Sequence, residues 1–345
     1  VPTLDEFARI RAWTEGRQSA EFLARAGVRL GIGDDAAVVA APGPGREWLL
    51  AVDAMAEEIH FLPETMEDAD VGFKALAANV SDIAAMGGVP HYALVSVSAP
   101  PAWGPDRVRA LYDGLYACAD RYGIAVVGGD TTAAKRHLVV SVTLVGSVRA
   151  GRAIPRSGAR PGESVFVTGP VGLSAGGLHG LLGRRKEGPA APEPPPRLVR
   201  AHRRPLPSLE AARLLADHGW CTALNDISDG LASEAWEIAE ASGVRIALRQ
   251  TALPLAGELA AYAAACGVSA LEWMLYGGED YVLLGTAPPA AEAAAREAFR
   301  AAGLPFFTIG AVEEGPPGVV LEDASGRRRP VRKRGYNHFP EDADR

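Results

Sequence analysis

Seven aspartates stand where apolar runs end or helices begin, all but Asp53 within two residues of glycine or serine. Asp34 and Asp35 sit in GIGDDAAVV, Asp53 closes LLAVD, Asp82 lies in NVSDIAAMGG, Asp130 in VVGGDTT, and Asp226 and Asp229 in NDISDGL. Singly, each reads as a turn or helix-capping residue, because a short carboxylate readily bonds nearby backbone. As a set they follow predicted strands, where α/β layers leave a crevice for ligands. Two carboxylates about 4 Å apart repel by roughly 4 kcal/mol at an effective dielectric of 20, so a converging cluster requires cations. Oxygen donors with no Cys or His alongside select a hard ion, Mg²⁺ in preference to Zn²⁺, and Mg²⁺ keeps waters and substrate phosphates in its shell. ATP-dependent phosphoryl transfer is the chemistry that fits.

Glycine points the same way. Gly128 and Gly129 precede Asp130, and GPVGLSAGGLHG, from Gly169 to Gly180, opens a predicted helix whose N–H groups could approach phosphate oxygens. Neither GxxxxGK[ST] nor GxGxxG occurs, so a nucleotide would bind outside the P-loop and Rossmann classes. Gly172 to Gly176 matches GxSxG, with later acids and His338 in the order a hydrolase uses. A nucleophile elbow puts Ser directly after the strand, however, and here Gly169 to Leu173 intervene; a hydrolase also leaves the aspartates unexplained. His60 in EEIHFL is a packed histidine or a ligand, Glu279 in YGGEDYVLL a strand cap or a contact to a substrate cation, and Ser228 a turn hydroxyl or a ligand contact.

The elements that must position these residues alternate along the chain. Strand-like runs at Val28 to Ile32, Trp48 to Val52, Tyr92 to Ser98, Ile124 to Val127 and Leu138 to Val148 are interrupted by two helical patterns. In the helix from Val71 to Met86, Phe73, Ala77, Val80 and Ala84 form one stripe and leave Asp82 on the opposite face. In the other, Val108, Leu111, Leu115, Cys118 and Tyr122 recur at helical steps. GRAIPRSGARPGE, Gly151 to Glu163, marks a domain boundary, giving domains 1–150 and 151–345. Beyond it, strands at Val165 to Thr168, Val244 to Leu248, Tyr281 to Gly285 and Phe306 to Val312 interleave with helices near Leu173, Leu209, Leu231 and Ala290. The Pro- and Gly-rich run 183–196 reads as an exposed loop. Each half is mixed α and β.

Composition closes off other classes. The 345 residues carry 35 basic and 42 acidic side chains, a net charge of −7, with no basic stripe for nucleic acid. One core seldom serves more than about 300 residues, so two domains are expected. Three scattered cysteines exclude a disulfide framework or CxxC site, and the start lacks a secretory pattern, so a reducing cytoplasm is expected. The longest uncharged stretch, Met86 to Pro105, is broken by Gly, Ser and Pro, so no membrane span is expected.

Taken together, GIGDDAAVV, VDAMAEEIHFL, KALAANVSDIAAMGG, VVGGDTT, GRAIPRSGARPGE, VTGPVGLSAGGL, NDISDGL, YGGEDYVLL and GYNHF resemble the thiamine-monophosphate kinases of the AIR-synthetase-like (PurM-like) superfamily, from about residue 30 to residue 339. The resemblance implies a two-domain mixed α/β fold and a homodimer formed by pairing N-terminal sheets. It implies transfer of the ATP γ-phosphoryl group to thiamine monophosphate, with several Mg²⁺ ions. On the matching motifs, Asp35, Asp53, Asp82, Asp130 and Asp226 would be metal ligands, Asp229 would bind a further ion and Asp34 would support the site; Asp35, Asp130 and Asp226 would be central to catalysis. Tyr112, Gly129, Asp130, Arg156 and Ser228 would meet ATP, and His60, Glu279 and Tyr336 thiamine monophosphate. Ala51 and Val52 replace the hydroxyl residues usual before the aspartate at 53, so no side-chain metal contact is available there. The alternatives are another ATP-dependent enzyme of the superfamily, such as an AIR-synthetase-like ligase, and a non-catalytic Mg-nucleotide-binding dimer.

Overall fold

The computed structural model describes residues 20–25, 28–30, 34, 35, 37–40, 44–183 and 192–336. Helix α1 (Ala20–Arg25) leads into a six-stranded sheet of β1 (Val28–Leu30), β2 (Ala37–Ala40), β3 (Arg46–Ala56), β4 (Val89–Ala99), β5 (Ala125–Ala133) and β6 (Val139–Arg149). Its order is β1-β2-β3-β6-β4-β5, antiparallel except for β4 and β5. Strand alternation sorts side chains between the faces. Leu49, Ala51 and Met55 of β3, Val95 and Val97 of β4, and Val140, Val142 and Leu144 of β6 are buried together.

On that face lie α2 (Asp68–Ala85) and α3 (Pro105–Tyr122), the latter being the crossover that parallel β4 and β5 require. Pro105 starts α3 where its missing N–H costs nothing, and Gly123, in the left-handed region at φ 68°, ends it. Helix α2 is buried on nearly every side, against the sheet, against α3 and against the second half of the chain. The side opposite its Phe73, Ala77, Val80 and Ala84 stripe carries Asp82, as the periodicity predicts.

The second sheet has seven strands: β7 (Ser164–Val167), β8 (Ala223–Asp226), β9 (Arg245–Arg249), β10 (Leu283–Ala287), β11 (Phe307–Glu313), β12 (Gly318–Glu322) and β13 (Arg328–Pro330). They run in the order β13-β12-β9-β11-β7-β10-β8, antiparallel except for β9 and β12. Around it are α4 (Leu173–Gly183), α5 (Pro196–Arg203), α6 (Leu209–His218), α7 (Leu231–Ser242), α8 (Gly257–Cys266), α9 (Ala270–Tyr276) and α10 (Pro289–Ala301). The mixed α/β architecture is the expected one.

Several elements differ from the sequence reading. Strand β8 is only ALND, too short to show a period and buried on both faces. The expected strand at Tyr281 begins at Leu283, because residues 279 and 281 take positive φ. The run 183–196 ends in a helix start, with Pro196 in the first turn of α5; residues 184–191, like Gly33 and 337–345 including His338, lie outside the described residues. Among the described residues no single helix is long and apolar enough to cross a membrane.

Candidate active site

Strand β8 ends on Asp226, α2 presents Asp82, and Asp35 precedes β2. One carboxylate oxygen from each lies within 4.8 Å of the others. Ser81, next to Asp82, donates its hydroxyl to Asp226 at 2.5 Å, so α2 and β8 are bonded as well as packed. Asp53 stands on the covered side of β3, where its N–H donates to Asn79 Oδ1 at 3.1 Å. Burial, then the charges of Asp53, Asp226 and Asp35, push the Asp82 carboxyl well above its usual range. Burial raises Asp226 to about 6 against the Ser81 hydrogen bond and Arg156. Asp35 is raised by burial and by Asp226 and Asp34, with Arg156 opposing.

Arg156 is the cation of this group. Its guanidinium bonds Asp35, reaches Glu237 at 3.0 Å and Asp34 at 3.6 Å, and donates from Nε to Asn225 Oδ1 at 3.1 Å. Asp34 in turn accepts the N–H groups of Asp35 and Arg156 at 3.0 and 3.3 Å. Asn225 donates to Glu234 and Glu237 of α7, and Glu234 accepts from the Asp229 N–H at 2.8 Å and the Ser228 hydroxyl at 3.4 Å. Even so, Asp35 Oδ2 is buried with no hydrogen-bond partner among the described residues. A buried carboxylate oxygen without a donor, beside two more carboxylates, fits a hard divalent cation bound through oxygen.

The 277–281 segment locks onto the 226–230 loop. A Cβ at Gly278 would run into the Ser228 carbonyl, and Glu279 N–H donates to that carbonyl at 2.6 Å while Tyr281 N–H donates to Ile227 at 2.9 Å. Glu279 and Tyr281 hold φ of 64° and 51°, conformations that non-glycine residues adopt where the surroundings impose them. Lys74 of α2, fully buried, donates to Glu279 Oε2 at 2.6 Å, and His202 Nδ1 of α5 lies 3.3 Å from the same oxygen. Burial would raise the Glu279 carboxyl, but Lys74 and His202 outweigh it and bring it to about 2. Its neighbour Asp280 goes the other way: burial lifts it to about 7 although it accepts N–H groups from Gly172 and Ser174. Those amides, at the start of α4, are therefore engaged by a carboxylate of the chain itself. Tyr281 is buried between Glu279 and the aspartates; burial, then the charges of Glu279, Asp53, Asp226 and Asp82, raises its hydroxyl.

This geometry argues against the GxSxG reading at its serine, while His338 lies outside the described residues. A hydrolase triad divides the two histidine nitrogens between serine and acid. Here Ser174 Oγ, 3.1 Å away, and Glu279 both meet Nδ1 of His202, Nε2 is buried without a partner, and Ser174 is itself buried.

The other expected contacts fall in three places. His60 and Tyr336 meet with ring centroids 6.3 Å apart; His60 Nδ1 accepts from Ala56 N–H, and Tyr336 N–H donates to the Asp229 carbonyl at 3.2 Å. Gly129 and Asp130 lie on the exposed edge strand β5. A Cβ at Gly129 would run into the Val95 carbonyl, and Asp130 stands level with Ser96, its carboxylate accepting from Thr131 N–H. Asp130 is not in the close group of three. Tyr112 of α3 packs on the first core with its ring 6.3 Å from Tyr116. Lys74, His202, Tyr281, Glu234 and Glu237 were not singled out from sequence. The only local signal was a Glu pair three residues apart in α7, just after NDISDG.

Known proteins match along the same span. The AIR synthase related protein N-terminal domain family matches residues 33–148, and the corresponding C-terminal domain family matches residues 160–322. Thiamine-monophosphate kinase from Bacillus subtilis (strain 168) is 38% identical over 336 residues, covering 97% of this chain and all of that protein. The enzyme of the same name from Aquifex aeolicus (strain VF5) is 36% identical over 312 residues, 89% of this chain and 92% of that one. Among solved structures, AaThiL complexed with AMPPCP and TMP superposes with a TM-score of 0.81 at 34% identity, over 97% of each chain. The HypE-HypF complex gives a TM-score of 0.72 at 17% identity and shares the fold alone. With both domain families matched in order and relatives similar along nearly its whole length, the chain belongs to the thiamine-monophosphate kinase family of AIR synthase related enzymes.

Proposed function

We propose that this protein transfers the γ-phosphoryl group of ATP to the phosphate of thiamine monophosphate, giving thiamine diphosphate and ADP, by direct in-line attack assisted by Mg²⁺. The observation that carries the reading is the oxygen-only group of Asp35, Asp82 and Asp226, with Asp35 Oδ2 buried and unpartnered. The structure of a relative with an ATP analogue and TMP supports the two substrates. Asp35, Asp82 and Asp226 would hold Mg²⁺, with Asp53 beside them, Asp130 joining from β5 and Asp229 serving a further ion. Bound there, the ions cancel the repulsion between two phosphorylated substrates and the charge that develops in transfer.

The chain's own residues then do the positioning. Arg156 and Asp34 fix Asp35; Ser81 fixes Asp226; and Glu234 fixes the Ser228–Asp229 turn. No side-chain base is needed, since the attacking phosphate oxygen is already ionised. Tyr112, Gly129, Arg156 and Ser228 are the proposed ATP contacts. His60, Tyr336 and Glu279 are proposed to hold thiamine monophosphate, the aromatic Tyr336 suiting its thiazolium cation; Tyr336 and Glu279 are each bonded through their N–H to the Ser228–Asp229 turn. The domains divide near residue 150, and the enzyme is a cytoplasmic homodimer. Purified protein with ATP, Mg²⁺ and thiamine monophosphate should form thiamine diphosphate, followed by chromatography. Intact ATP binding with no product at high enzyme concentration would favour the binding-module alternative.

A further inference from the structure

The Lys74–Glu279–His202 contact joins the halves of the molecule beside the proposed site. Lys74 comes from α2, the helix that also carries Asp82; Glu279 comes from the strained 277–281 segment and His202 from α5. Both close contacts fall on the same oxygen, Oε2, at 2.6 Å from Lys74 Nζ and 3.3 Å from His202 Nδ1. Lys74 and His202 are buried, whereas Glu279 keeps about a quarter of its side chain exposed and its Oε1 takes neither of the two contacts. Nδ1 of His202 also meets Ser174 Oγ at 3.1 Å, but Glu279 Oε2 can only accept, so His202 faces it as a donor from Nδ1, a proton shared with Ser174, and its buried Nε2 is the bare nitrogen. Lys74 and Glu279 together carry no net charge. The remaining oxygen is a fixed acceptor atom whose charge is already neutralised.

We infer that Lys74 and His202 are positioning residues that turn Glu279 Oε1 into a hydrogen-bond acceptor for an N–H or O–H donor on the substrate's organic part, so that Glu279 selects a donor group and is not an anchor for the substrate's positive charge. The inference rests on the reading that Glu279 meets thiamine monophosphate. On that substrate the matching donor is the exocyclic amine of the pyrimidine ring.

The arrangement makes an unusual demand of Glu279→Gln. Lys74 and His202 both donate, so the glutamine must turn its oxygen to them and present its NH₂ at the place of Oε1. A donor then faces a donor. The probes are thiamine monophosphate and oxythiamine monophosphate, which keeps the thiazolium charge and replaces the amine by a carbonyl acceptor. Binding of each is measured by calorimetry without ATP.

The wild type should prefer thiamine monophosphate by roughly tenfold or more, and Glu279→Gln should reverse the preference, which is the scale of a site's unpaired polar group. Adding Lys74→Met to Glu279→Gln frees the amide to flip and should restore part of the affinity for thiamine monophosphate. Equal weakening of both probes by Glu279→Gln would show a charge anchor and overturn the inference, as would no change in either. A wild type that binds neither probe would instead count against the proposed substrate. If the double variant does not fold, the reversal in Glu279→Gln alone decides.

Discussion

Arg156 ties Asp34, Asp35 and Glu237 together, since one guanidinium meets three carboxylates and an amide oxygen from a largely buried position. Removing one member of a buried ion group leaves the rest uncompensated. Arg156→Met should therefore cost about 3–5 kcal/mol in denaturant unfolding, and Arg156→Lys should recover only part, because an ammonium cannot reproduce the planar fork. A loss below about 1 kcal/mol would mean that water already screens the group. Asp130 makes the opposite case. It is exposed on β5 and its carboxylate bonds only the next residue's N–H, so Asp130→Asn should shift stability by no more than about 0.5 kcal/mol. Turnover should be abolished all the same if Asp130 joins the metal group; near-normal turnover would remove it.

The contrast shows what a sequence can and cannot disclose about a site. Asp35, Asp82 and Asp226 were visible because each lies within two residues of Gly or Ser near the end of an element, a local signal. Lys74 was not, since inside KALAAN it is one more helix residue whose partner lies 205 positions away. His202, Glu234 and Glu237 were hidden for the same reason: their roles come from packing between elements, and no spacing along the chain encodes it.

At the scale of elements, the 277–281 segment sets two adjacent carboxylates to opposite uses. Glu279, held down to about 2, stays ionised for its contact with Lys74, while Asp280, lifted to about 7, closes the start of α4. For Asp280 the unfolded value is near 3.8 and the folded value is higher, so the native state holds more protons between them. Its contribution to stability is present below about 4 and is lost as pH rises towards 7, at up to about 1.4 kcal/mol per pH unit. The buried aspartates slope the same way, so the informative quantity is the difference between wild type and Asp280→Asn. In urea unfolding from pH 4 to 8 that difference should change through this window and level off above it; parallel curves would show that Asp280 does not titrate there. Such elements also set the limits of sequence reading. The long amphipathic helices α2 and α3 declared themselves by period, whereas β8 and α5, four and eight residues long, have too few positions for any period to show.

At the scale of the whole molecule, the described residues cover only one face of the first sheet. On the other, register aligns Leu50 of β3 with Val145 of β6 and Tyr92 of β4, and Val52 with Thr143 and Leu94. Val52 is 62% exposed, Tyr92 47% and Leu94 44%, and Val127 of β5 extends the patch at 57%. Single exposed apolar residues need no explanation, but adjacent rows of them across four strands mark a surface built to be covered. The proposed homodimer supplies the cover with a second copy, each patch meeting itself across a two-fold axis. In that arrangement one substitution acts twice, because residues near the axis face their own counterparts. Leu94→Glu should then place two carboxylates in an apolar contact and yield a folded monomer, with half the wild-type mass in sedimentation equilibrium. Its urea midpoint at high dilution should stay close to that of wild-type monomer, since Leu94 is 44% exposed within one subunit. A wild type that is monomeric at every concentration, or a Leu94→Glu variant that still sediments as a dimer, would assign the patch to another partner or to no interface at all.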